Sequence, residues 1–173
     1  MKYNALPNID MINKEKEFIY LAKKMNEQLS IIPLLFGSVA LNMFVDDEVE
    51  MGDLDIALPH FMRPSRNYLC PEYIKFMENN GYEYIDLHEG EFHKDEIKIH
   101  TAGDSWFKEY ADINATEFPI MQYNGAVYKV FTLEHLIKTY TVSAREREDE
   151  GENNYHRTKL EIARKAIECR KQV

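Results

Sequence analysis

Leu34-Leu35-Phe36-Gly37-Ser38, followed after fourteen residues by Asp53-Leu54-Asp55, decides how this chain folds and where its chemistry lies. The run Ile31 to Phe36 is compact and apolar and ends at Gly37-Ser38, the pattern of a short buried strand. Val39 to Phe44 reads as a short helix with Ser38 near its N-terminus. Leu54, Ile56 and Leu58 then alternate with Asp53, Asp55 and Ala57, giving a second strand with one apolar and one polar face, closed by Pro59. A strand that ends in Gly-Ser and opens a helix lets backbone N–H groups approach a phosphate. The serine adds a hydroxyl, and glycine leaves room where a side chain would hold the phosphate away. The two-residue period places Asp53 and Asp55 on one face, with Leu54 and Ile56 anchoring the other. Neighbouring carboxylates repel unless a cation lies between them, and hard oxygen ligands suit Mg²⁺ that also grips a nucleotide's phosphates. Either motif alone is common; their order on strand, helix and strand is specific.

Outward from this centre the periods change. Phe18, Ile19, Leu21, Ala22, Met25 and Leu29 recur at helical spacing over Asn13 to Ser30. Pro64 to Pro71 reads as loop, and Glu72 to Asn80 as a helix stopped by Gly81. Tyr82 to Phe92 and Glu96 to Thr101 read as a hairpin joined through His93-Lys94-Asp95, while Ala102 to Pro119 shows no decisive period. Val127 to Phe131 reads as a last strand. Thr132 caps a helix running from Leu133 to about Arg145, the charged run to Asn154 is a solvated helix end or loop, and Tyr155 to Lys171 is a final helix.

The chain has 173 residues, 45% hydrophobic and 12% aromatic, enough for one domain with a real core. Its 21 basic and 30 acidic residues give a formal charge of −9, which argues against a broad nucleic-acid-binding surface but not against a small basic cleft. Cys70 and Cys169 cannot make a disulfide framework or a cysteine-rich zinc site. Met1 to Lys16 lacks an apolar run with a cleavage site, and the longest apolar stretch is far too short for a membrane span, so a cytoplasmic protein is expected. The six histidines show no zinc spacing. Tyr82, Tyr84, Phe92 and Trp106 read as core aromatics before base-stacking ones, and Arg63 and Arg66 as a solvated loop within reach of a triphosphate.

With those motifs in hand, the sequence resembles the nucleotidyltransferase superfamily of polymerase-β-like fold. The likeness is to small bacterial relatives of the lincosamide and aminoglycoside nucleotidyltransferases. It covers Ile31 to about Thr101 and extends weakly to Leu136-Ile137-Lys138 and Arg157-Thr158-Lys159-Leu160-Glu161-Ile162, similar to that family's helical end. It implies an α/β (α+β) fold: a nucleotidyltransferase-like mixed sheet flanked by helices in a single domain 1–173, with a core at about 31–131 and C-terminal helices at about 132–171. It implies Mg²⁺-dependent transfer of a nucleoside monophosphate from a nucleoside triphosphate to an acceptor hydroxyl, with release of pyrophosphate. Gly37 and Ser38 match the phosphate-binding turn, and Asp53 and Asp55 the first two metal-binding, catalytic carboxylates.

One departure stands out. The family brings a third carboxylate on a later strand, often as apolar-Asp-apolar-His, and here Ile97-Lys98-Ile99-His100 puts Lys98 at the acid's position. Lys98 and His100 are expected to line the cleft. A lysine is no general base at neutral pH unless its pKa is strongly lowered. Asp86, Glu89 and Glu91, with Glu96 just before the next strand, are nearby substitutes, and if Ile85 and Leu87 face the core, alternation puts Asp86 and His88 on the opposite face. The alternative reading is a non-catalytic binding or interaction module that kept the scaffold with a degenerate site.

Overall fold

The computed structural model describes residues 13–46, 49–149 and 155–171. Most of the N-terminal stretch read for a leader, Asp47-Glu48 of the acidic connection, and residues 150–154 of the charged run lie outside those residues. Helix α1 spans Asn13–Leu29 and buries Phe18, Leu21, Ala22 and Met25, the spacing of one helical face. Pro33 then sets where the first strand begins. It has no N–H to offer a ladder, so only Leu34–Phe36 of the apolar run forms β1. Helix α2 follows at Gly37–Asn42 and β2 at Leu54–Leu58. The two strands are antiparallel, and the register sets Phe36 beside Asp55.

Beyond β2, helix α3 spans Pro71–Asn79, and three strands follow: β3 Glu83–Asp86, β4 Glu91–Lys94 and β5 Ile97–Gly103. The single hairpin expected over 82–101 is therefore two reversals. The first is set by Asp86, whose Oδ1 accepts the N–H groups of His88 at 2.7 Å and Glu89 at 3.1 Å. Such a carboxylate turn favours reversal over continued strand. The second turns at Asp95, with a φ of 51°. The expectation about Ile85 and Leu87 is corrected as well: they are 46% and 48% exposed. The inward face of this edge belongs to Tyr82 and Tyr84, the latter stacked on buried Phe92, and the register slips between Tyr84 and Asp86.

The stretch without a decisive period, Ala102 to Pro119, contains helix α4 (Trp106–Ala111). Strands β6 (Ile120–Tyr123) and β7 (Ala126–Val130) complete the sheet, and helices α5 (Leu133–Asp149) and α6 (Tyr155–Lys171) follow. Thr132 and His135 close the start of α5 reciprocally: the Thr132 hydroxyl accepts the His135 N–H, and His135 Nδ1 accepts the Thr132 N–H. The sheet has seven strands in the order β3-β4-β5-β2-β1-β7-β6, with β2 parallel to β5 and β1 parallel to β7. That order puts β1 and β2, with their motifs, at its centre. Helices α5 and α6 pack on each other and both touch α2, which carries the C-terminal helices toward the Gly37 turn. No helix among the described residues is long and apolar enough to cross a membrane.

Candidate active site

Leu54 and Ile56 are fully buried, and alternation along β2 leaves Asp53 exposed and Asp55 partly exposed on the other face. Gly37 meets Asp55 directly. Its φ is 70°, and a Cβ placed there would come within 1.9 Å of Asp55 Oδ2. Glycine is thus required twice, for the left-handed backbone and for the space the carboxylate occupies. Burial raises the Asp55 pKa above the ordinary carboxylate value. His100 opposes this, neighbouring Asp53 adds to it, and Lys159 also opposes it. Ser38 is 3% exposed, and its hydroxyl accepts the Gly52 N–H at 3.1 Å, fastening the segment that leads into Asp53. From α1, the Lys14 ammonium donates to the Gly52 carbonyl.

The parallel register of β2 and β5 sets His100 beside Asp55. Its Nδ1 lies 3.5 Å from Asp55 Oδ1 and its Nε2 3.4 Å from Glu89 Oε2, so the imidazole bridges two carboxylates. Burial disfavours its charged form, but the Asp55 hydrogen bond and the charges of Asp55 and Glu89 outweigh this and raise its pKa. Lys98 is on the same face of β5 but exposed, and no ion pair joins it to either aspartate. It stands at the start of its strand, where the side chain reaches water. Glu91 is engaged by the His93 ring on β4, two strand steps or about 10 Å from β2. Asp86 closes its turn on β3, three steps or about 14 Å away. Glu96 is exposed in the turn before β5, and of the four substitute acids the structure brings Glu89 to Asp55, through His100.

Three further side chains come from the C-terminal helices, and sequence reasoning missed all of them. Lys159 on α6 is 4% exposed, with its Nζ 3.3 Å from the centroid of the Tyr155 ring. Burial lowers its pKa to about 8 against the pull of Asp55 and Glu50. The Tyr155 phenol lies between Ser38 and the Glu50 carbonyl, 3.5 Å from the latter. Tyr140 on α5 is 5% exposed, near enough for the Asp55 charge to act on its hydroxyl, which has no hydrogen-bond partner among the described residues. The available signal was a lysine on an apolar stripe: Lys159 is four residues from both Tyr155 and buried Ala163.

Beside His100 opens a cavity of about 810 Å³, lined among others by His60, Arg66, Glu89 and Trp106. Arg66 lies over the Trp106 ring at 6.0 Å. Arg63, read as solvated or as a triphosphate contact, is 4% exposed and lines this cavity, and its buried Nη1 has no hydrogen-bond partner among the described residues. Its Nη2 donates to the carbonyls of Arg66 at 3.1 Å and His88 at 2.7 Å, bracing the turn that carries Glu89.

The donor set suits a divalent cation shared with a ligand. Asp53 and Asp55 form a pair of hard oxygen donors on one face, and no group of three or more His, Cys, Asp or Glu among the described residues is arranged to hold a metal alone. Mg²⁺ is commonly held by one or two carboxylates together with substrate phosphates and water.

Comparison with known proteins bears on the fold. YnaI of Bacillus subtilis (strain 168) is 34% identical over 127 residues, covering 73% of this chain and 80% of that protein. The chain belongs to the YnaI family. The relative's name states no activity, so YnaI fixes descent and leaves chemistry to the site. No protein-family model matches the sequence. The crystal structure of an antigenic nucleotidyltransferase-like protein from Paracoccidioides brasiliensis aligns with a TM-score of 0.63 at 10% identity, over 91% of this chain and 77% of that one. The solution structure of the antibiotic-resistance factor ANT(2'')-Ia aligns with a TM-score of 0.57 at 14% identity, over 90% of this chain and 86% of that one. The fold of this YnaI relative is nucleotidyltransferase-like.

Proposed function

We propose that this protein transfers a nucleoside monophosphate from a nucleoside triphosphate to an acceptor hydroxyl, using Mg²⁺ held by Asp53 and Asp55. One observation carries the reading: Gly37 lacks a side chain where Asp55 lies, so the phosphate-type turn and the carboxylate pair form one site. Mg²⁺ there would neutralise the phosphates and make the α-phosphorus more open to attack. Gly37 and Ser38 would face the terminal phosphates. The acceptor would enter through the cavity beside His100, where Glu89 would take its proton while His100 holds that carboxylate relative to Asp55. The acceptor oxygen bonds to the α-phosphorus, the bond to the bridging oxygen breaks, pyrophosphate leaves, and the proton passes to Glu89. Positioning and charge neutralisation supply most of such catalysis. The reaction fits the cytoplasm, where the free thiols Cys70 and Cys169 stay reduced.

The test is pyrophosphate release from each of the four common nucleoside triphosphates, supplied with Mg²⁺ and a panel of hydroxyl-bearing small molecules. Release is expected to disappear in Asp53→Asn/Asp55→Asn. A second reading, a module that binds nucleotide without turnover, is favoured by Lys98 at the third acid's position. Nucleotide binding without release across the panel would support that reading over the first.

A further inference from the structure

Buried guanidinium groups ordinarily sit against carboxylates, because an uncompensated charge away from water is costly. Arg63 is 4% exposed, yet no ion pair joins it, or Arg66 three residues on, to a carboxylate among the described residues. Its Nη2 is taken up by two backbone carbonyls, and its buried Nη1 is left without a partner among those residues. Burial lowers its pKa, Glu89 opposes this as a nearby charge, and Arg66 adds a repelling like charge. The chain has 30 acidic residues to 21 basic ones, so two neighbouring arginines without a carboxylate are particular to this place. The backbone is also shaped around Arg63, as the Gly37 turn is around Asp55. Gly90 has a φ of 63°, and a Cβ there would lie 2.6 Å from Arg63 Nη1 and 2.7 Å from the Thr101 carbonyl oxygen. A side chain at Gly90 would fill the space that the guanidinium occupies. Arg63, Arg66 and Glu89 line one cavity, and the His88 carbonyl that holds Arg63 belongs to the residue before Glu89.

We propose that Arg63 and Arg66 bind an anionic group of the acceptor, so that the acceptor is a hydroxyl compound carrying a phosphate or a carboxylate. The acceptor's role rests on the transfer reading given above; the anion site itself does not. An oxyanion accepts the N–H groups of Nη1 that no described residue takes, and a guanidinium fork matches phosphate and carboxylate oxygens alike. Arg66, exposed on the loop that lines the same cavity, supplies the second cation. The link through His88 sets the anionic group beside Glu89, so one small molecule meets the arginines with its acid and Glu89 with its hydroxyl.

Nuclear magnetic resonance of the full chain, isotope-labelled at arginine and tryptophan side chains, tests the anion site without nucleotide. Inorganic phosphate, acetate and glycerol are titrated separately, with ionic strength held constant by sodium chloride. The Arg63 Nε–H resonance is expected to move saturably with phosphate, acetate or both, and not with glycerol. Phosphate alone assigns a phosphorylated acceptor, and acetate alone a carboxylate-bearing one. Constancy with both anions up to about 50 mM overturns the proposal. In the variants the Trp106 Nε1–H resonance, on the same cavity wall, follows binding. Arg63→Met should weaken the anion by about tenfold or more, and Arg63→Lys should restore part of the loss. Should Arg63→Met fail to fold, the wild-type Arg63 resonance and the exposed Arg66→Ala, expected to weaken the anion by about threefold or more, decide the question. Unchanged affinity in folded variants at both positions overturns the assignment. Pyrophosphate release from ATP and Mg²⁺ with glycerol 3-phosphate, glycerate and glycerol then separates the two readings. Anion binding at Arg63 without release from any acceptor overturns the transfer reading and leaves the anion site standing. Release with glycerol that is unchanged in folded Arg63→Met and no slower than with the two acids overturns the acceptor role of Arg63 and leaves the transfer reading standing.

Discussion

The strand-borne and helix-borne parts of this site reach Asp55 by different routes. Gly37, Asp53 and Asp55 are positioned by neighbouring strands within about twenty residues, through a ladder that sets Phe36 against Asp55. Tyr140, Tyr155 and Lys159 arrive on helices about a hundred residues later, held by the packing of α5 and α6 on α2. The first part is fixed by local geometry with no slack, since the Gly37 position has no room even for a methyl group. The second is polar machinery set into a helix face that otherwise packs, and it leaves the Tyr140 hydroxyl without a partner among the described residues. A site of this build takes its rigidity from strands and its remaining contacts from helices.

The contrast breaks most readily at Gly37. Gly37→Ala forces a left-handed residue and a methyl group onto Asp55, so a loss of about 2 kcal/mol or more is expected in urea unfolding. A loss under about 0.5 kcal/mol would show that the turn is as loose as the helical part.

The start of α5 offers a pH-dependent version. Burial lowers the pKa of His135 below its ordinary value of 6.5. The unfolded chain therefore binds more protons below about pH 6.5, and the stability tied to neutral His135 is complete above that pH and lost as pH falls through the folded-state pKa. His135→Gln keeps a capping acceptor at that position and removes the titration. The stability difference between wild type and variant should accordingly shrink on acidification, and a difference independent of pH between about 5 and 8 would contradict the burial argument.

The smallest effect is expected at Tyr140. Its hydroxyl is buried without a partner among the described residues, so Tyr140→Phe should leave stability unchanged or raise it by up to about 1 kcal/mol. A clear loss would mean that the phenol is held as firmly as the strand carboxylates.

How much of this was legible in the sequence follows from the same division. The alternation around Leu54 and Ile56 and the Gly37-Ser38 break are short-range signals, and they located β1, α2, β2 and the shared face of Asp53 and Asp55. The edge of the sheet was misread at Ile85 and Leu87, because alternation alone does not say which of two apolar sets faces inward once a carboxylate turn and a register slip intervene. Lys98 was legible as a departure. His100 was legible too, as a residue of the cleft; that Lys159, instead of Lys98, joins it in acting on Asp55 was not, since helix docking is a long-range outcome. Arg63 looked solvated for a similar reason: its two carbonyl partners are set by the fold of the loop and the turn it braces.

The most direct test of the Asp53–Asp55 site is ATP binding with and without Mg²⁺, measured by calorimetry on wild type and on Asp53→Asn/Asp55→Asn. Removing two like charges relieves repulsion in the metal-free protein, so the variant should melt no lower than wild type. Wild type is expected to bind ATP only when Mg²⁺ is present, and the folded variant to bind none. Wild-type affinity in the variant, or no binding by wild type at millimolar ATP and Mg²⁺, would contradict the account.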